Sequence, residues 1–137
     1  MRLLITILAL SLGLTGNAQD TGISITVTIE NIKNNDGKVL LGLHNSETFM
    51  RADGLDNLES TIENGKVILV FKNVKPGDYA ILAMHDENEN YMMDFEASGM
   101  PKESFGLSNN PMSFGPPQFN EAKFTVNDKD LNLTIRF

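Results

Sequence analysis

The sequence predicts an all-β fold: an antiparallel two-sheet sandwich of about seven strands, of the immunoglobulin or transthyretin kind. Three observations predict it. Apolar residues alternate with period two in several segments, Gly, Pro and Asn punctuate those segments at short intervals, and no stretch carries a convincing helical period. At 137 residues and 41% hydrophobic, the chain is one domain's worth and can bury a core.

The first segment lies outside that fold. Met1-Arg2 is a short positive start, Leu3 to Leu14 is mostly apolar, and Gly16 and Ala18 form a small-x-small cleavage site. The apolar run falls short of the roughly 20 residues a membrane-spanning helix needs, so residues 1–18 are predicted to be a signal peptide. Residues 19–137 then form a single exported domain, periplasmic or extracellular. It is not a lipoprotein, because no Cys follows the apolar run, and the mature chain has no transmembrane segment.

Ile23, Ile25, Val27 and Ile29 alternate with polar residues, placing one apolar face on a first strand. Asn34-Asn35-Asp36-Gly37 is a turn, and Lys38 to His44 a second strand, so the two are expected to pair as a hairpin. Residues 46–58 read as a loop or short helical turn. Asn64-Gly65 is the strongest hairpin signal, between Leu58–Glu63 and Lys66–Phe71. Val67 to Phe71 is unbroken apolar sequence, as in a central strand covered on both faces. Lys75-Pro76-Gly77-Asp78 turns into a strand from Tyr79 to His85, and Glu121–Val126 with Leu131–Phe137 form a last hairpin. That last strand alternates and ends in Phe, as outer-membrane barrel strands do, but the strands are shorter than the 9–11 residues a barrel requires.

Composition narrows the function classes. With 11 Lys+Arg against 18 Asp+Glu the net charge is −7, which excludes a phosphate-neutralising nucleic-acid surface. The absence of Cys removes disulfides, thiolate nucleophiles and Cys-type zinc sites.

Residues 86–119 are the unusual part, since structureless loops beyond about 12–15 residues are uncommon and often functional. Five acids lie between Asp86 and Glu96, with no Lys or Arg. Asp86, Asn88, Asn90 and Asp94 fall at positions 1, 3, 5 and 9 of an EF-hand-like count, where oxygens can converge on a hard cation such as calcium. Tyr91 replaces the expected Gly and Ala97 the closing Glu, although Glu87 is near enough to substitute. Two readings compete: a calcium site, or a solvated acidic turn.

His85 is either a metal ligand or a hydrogen-bonding residue at a strand end. His44 and His85 would meet if their strands were neighbours, and could ligate a metal together with Asp86. Beyond the acids, Phe105-Gly106-Leu107-Ser108-Asn109-Asn110 and Phe114-Gly115-Pro116-Pro117-Gln118-Phe119 combine fixed turns with aromatics. Phe105, Phe114 and Phe119 either pin the loop over one end of the sandwich or border a ligand cleft. Asn132-Leu133-Thr134 matches a glycosylation triplet but lies inside a predicted strand.

These motifs carry a resemblance. The His-Asp-x-Asn-x-Asn…Asp run at 85–94, Phe-Gly-Leu-Ser-Asn-Asn at 105–110, Gly-Pro-Pro-Gln-Phe at 115–119 and Lys-Pro-Gly-Asp-Tyr-Ala at 75–80 resemble the bacterial family catalogued as domain of unknown function 2141. The resemblance spans residues 23–137 and implies an exported β-sandwich with no assigned reaction. Its members often read His-Asp-Glu-Asn-Gly-Asn-Gly, so Glu89 and Tyr91 stand where glycines would.

The expectation is therefore an exported binding or structural module. The acids and aromatics of its 86–119 loop would contact a cation, a glycan or a partner in the cell envelope or outside the cell. The alternative is a small metal-dependent or acid/base hydrolase using His85 with Asp86 or Asp94.

Overall fold

The structure, a computed structural model, describes residues 22–137; the predicted signal peptide, residues 1–18, lies outside them. Eight strands run in chain order: β1 (Ile23–Ile29), β2 (Lys38–His44), β3 (Asp56–Thr61), β4 (Val67–Val74), β5 (Gly77–Asp86), β6 (Phe105–Leu107), β7 (Phe124–Val126) and β8 (Leu131–Ile135). A one-turn helix, α1 (Phe119–Ala122), precedes β7. They build a three-stranded sheet, β4-β1-β8, facing a five-stranded sheet ordered β3-β2-β5-β6, with β7 also on β5. Among the described residues no helix is long and apolar enough to cross a membrane.

Period-two alternation explains the core. Ile25, Val27 and Ile29 of β1 and Phe71 of β4 face Val39, Leu41 and Leu43 of β2 and Ile81 of β5, and all are buried. Fully burying such a side chain contributes roughly 1.5–3 kcal/mol, so packing can hold a cysteine-free domain together.

Pairing departs from expectation in four places. β1 and β2 form no hairpin: β1 pairs with β4 and β8, and β2 with β3 and β5. Asn64-Gly65 does turn, both residues at positive φ, but the hairpin stops at the Glu63–Lys66 bridge. Beyond it β3 and β4 separate into different sheets. β4 is an edge strand rather than a central one, and Ile68 is exposed. The last two strands also part, β7 joining β5 and β8 lying parallel to β1. Short-range turn chemistry does not choose the partners: the apolar faces of β1, β4 and β8 pack against those of β2 and β5 across the sandwich.

β5 organises the site. Along one side it pairs with β2; along the other, β7 covers residues 77–79 and β6 covers 82–84. Ser108 closes the gap between β6 and β7. Its buried hydroxyl accepts the Ile81 N–H at 2.9 Å and donates to the Ala122 carbonyl at 2.6 Å. Asn109 donates to the Lys123 carbonyl at 2.6 Å. Asn110 donates to Thr134 O and accepts from Arg136 N, both at 2.8 Å. Gly106 lies so close to β8 that a Cβ there would collide with the Arg136 carbonyl. Ser108, Asn109 and Asn110, read from sequence as site candidates, bond to backbone: Ser108 and Asn109 tie β5 and β6 to the α1–β7 segment of the same sheet, and Asn110 ties the loop to β8 of the other.

Candidate functional site

The 86–103 loop owes its shape to carboxylates that accept backbone amides. Asp86, fully buried at the end of β5, accepts the Asn90 N–H at 3.2 Å and the Tyr91 N–H at 2.9 Å. Glu103, 5% exposed, accepts the Glu87 N–H at 2.8 Å and the Asp94 N–H at 3.1 Å. A hydrogen bond to a charged group is worth roughly 1.5–3 kcal/mol, so these four outweigh the entropy of ordering several loop residues. Glu87 turns outward and accepts from Asn34 Nδ2 at 2.7 Å.

Three of the four calcium-candidate side chains come together. Asp94 accepts Asn88 Nδ2 at 2.6 Å and Asn90 Nδ2 at 3.0 Å, and these bonds, Asn88's first, hold its carboxyl below the usual range. The carboxamide oxygens of Asn88 and Asn90 turn instead to the amides of Asn90 and Met92. Asp86 is committed to its two amides. Among the described residues no group of three or more His, Asp or Glu side chains gathers as a metal site.

Glu89 and Tyr91 sit at φ 56° and 60°, the left-handed region that glycine adopts without penalty. The chain holds the curl that a Gly-x-Gly pattern would favour while carrying two side chains there. Tyr91 is compensated: its hydroxyl lies 2.7 Å from Lys38 Nζ, which sits 4.8 Å over its ring and is itself held above its ordinary pKa by that bond. Glu89 is exposed, with no such contact to offset the strain.

His85 is fully buried and stacked on Phe137. Its Nε2 bonds the Asp36 carbonyl at 2.7 Å, while Nδ1 has no partner among the described residues. The expected meeting of His44 and His85 does not occur. The β2–β5 register sets His85 opposite Val39 and His44 opposite Ala80, at opposite ends of the ladder. Strand alternation also turns the two rings to opposite faces of the sheet.

His44 belongs to the outer face, where a groove of about 710 Å³ opens. Leu40 and Gly42 of β2 and Leu82 and Met84 of β5 form its floor. One wall is the acidic loop, through Tyr91, Met93, Phe95 and Pro101; Met50, Asp53 and Gly54 stand opposite. Beyond the groove the same face is sealed by a second apolar cluster of Phe49, Ala80, Leu107 and Ala122, against which Leu82 and Phe119 pack. Phe105 lines the groove; Phe114 projects fully into solvent and pins nothing.

None of the floor residues was singled out in the sequence. The signal was there: Val39-Leu40-Leu41 and Ala80-Ile81-Leu82-Ala83-Met84 are apolar on both faces, the mark of strands covered twice. His44 donates or accepts at Thr48 Oγ1, 3.1 Å away, and burial pushes its pKa down against the opposing pull of Thr48 and Asp53.

A family model described as "Uncharacterized protein conserved in bacteria (DUF2141)" matches residues 27–134. No curated protein and no solved structure matches the chain.

Two predictions follow from this geometry. Replacing Glu89→Gly relieves a left-handed non-glycine residue and is expected to stabilise by about 1 kcal/mol, raising the melting temperature by roughly 2–5 °C; an unchanged or lower value contradicts the strain. For His44, the unfolded chain binds more protons than the folded one below the ordinary pKa of about 6.5. Stability should therefore fall as pH drops through that value, flattening below the folded pKa. Urea midpoints at several pH values should show a smaller fall in His44→Gln than in the parent chain.

Proposed function

We propose that this chain, which belongs to the uncharacterised bacterial family DUF2141, is an exported binding module whose ligand lies in the groove on the outer face of the five-stranded sheet. Export is supported by the apolar Leu3–Leu14 run and its small-residue cleavage site. The observation that carries the binding reading is the groove itself. A sheet whose outer face is apolar and sealed at one end by a second core leaves about 710 Å³ open beside it. That volume lies within the roughly 300–1,000 Å³ range of ligand sites. Half-exposed Tyr91, Phe95 and Phe105 around it form an apolar surface that a chain with no ligand gains nothing by keeping.

The test is titration with a neutral apolar fluorophore such as Nile red. The parent chain should bind it and Met84→Arg, at the outward-facing floor, should bind at least about tenfold more weakly. Melting temperature should change little, because Met84 is outside the main core. No binding by the parent, or equal binding by both, overturns the reading.

A second reading has one observation in its favour: Asn88, Asn90 and Asp94 lie within hydrogen-bond reach of one another on a loop curled by Asp86. Rotating the two carboxamides would present oxygens to calcium beside Asp94, and the cation would stiffen the groove wall. Melting in calcium should then exceed melting in chelator by several degrees, as binding to the folded state alone requires. Coincident curves would remove calcium from the account and leave the groove.

A further inference from the structure

Resting on the groove as ligand site, we propose that its occupant is a cationic amphipathic peptide segment. Charge is the first argument. Both charged residues among the groove lining, Asp53 and Glu59, are carboxylates. The wall adds exposed Glu89 and Glu96, while Asp86 is buried against backbone amides and Lys102 follows Pro101 directly. Lys38, beside the groove, is committed to Glu59 at 3.3 Å and to Tyr91, and Arg51 and Lys102 adjoin the lining but are not part of it. Asp53 makes no ion pair among the described residues. A cation entering the groove thus meets carboxylates and no Lys or Arg among the lining residues, with Asp53 left outside any ion pair.

Shape is the second. The floor along β2 from Leu40 to His44 runs about 13 Å at roughly 3.3 Å per residue. That matches about two turns of helix, enough for anchors at i, i+3 or i+4, and i+7. The walls stay half open, Met50 at 57% and Phe95 at 59% exposed, where a small-molecule site would bury most of its ligand.

The lining is the third. Met50, Met84 and Met93 are unbranched thioethers that re-pack around different apolar shapes. With Tyr91, Phe95 and Phe105 they give the composition that the centres of protein interfaces favour. An adaptable apolar floor inside an acidic rim recognises the pattern of a peptide, apolar on one face and basic on the other, more than a single sequence.

The experiment measures binding of labelled twelve-residue Leu/Lys and Leu/Glu peptides of identical pattern to the full chain, with Nile red run in parallel. The Leu/Lys peptide should bind at least about tenfold tighter and weaken as salt rises through the range where surface charges are screened. Leu40→Ser/Met84→Ser, which keeps every charge, should lose most of that binding. Asp53→Lys, an exposed substitution, should weaken the Leu/Lys peptide and narrow its preference over Leu/Glu. Equal binding of both peptides, or undiminished Leu/Lys binding by the Leu40/Met84 variant, overturns the proposal. So does binding of Nile red alone, which leaves the groove a site for small apolar molecules. Failure of Nile red as well removes the groove reading itself.

Discussion

Two buried carboxylates hold together what is distinctive in this molecule. Asp86 ends the central strand by accepting the amides of Asn90 and Tyr91, and Glu103 returns the chain by accepting those of Glu87 and Asp94. A buried carboxylate is costly unless its lone pairs are filled, and here the filling groups are the amides that an irregular loop would otherwise leave unpaired. The same four bonds fix the wall that carries Tyr91, Met93 and Phe95 over the outer face of the sheet. The acids of this loop are therefore part architecture and part rim: Asp86 and Glu103 look inward to the backbone, while Glu89 looks to water.

Much of the fold was legible in the sequence. Alternation located β1 and β2 to the residue and β5 nearly so, and with them the sandwich, because period two decides which face a side chain takes. It does not decide which edges meet. β1 and β2, and β7 and β8, look like hairpins locally yet separate into different sheets, and β8 finds β1 across about a hundred residues. The site was legible in the same partial way. The cluster from Asp86 to Glu96 stood out by composition, but Glu103 lies sixteen and nine positions from the two amides it holds, and no local pattern announces such bonds. Ser108, Asn109 and Asn110 carried the chemistry of a site and the job of a staple, and only the backbone atoms they reach tell the two apart.

The groove changes what the acidic composition means. Of the chain's excess of acids, two carboxylates, Asp53 and Glu59, stand at the groove around an apolar floor, with Met50, Met84 and Met93 among the lining. His44 and Asp53 close one end, and Lys38, Glu59 and Tyr91 are locked together toward the other. His85, the most conspicuous candidate base, is meanwhile sealed on the inner face against Phe137. The open, half-exposed apolar surface thus lies on the outer face of the sheet while the inner face is given to packing.

If ligand enters this groove, methyl spectra of methionine-labelled protein register it at the residues concerned. On addition of an aromatic apolar ligand, the ring current should shift the methyl signals of Met50, Met84 and Met93 together, with the same saturation point. Shifts confined to Met112 on the exposed tip, or unrelated concentrations at the three sites, would contradict it.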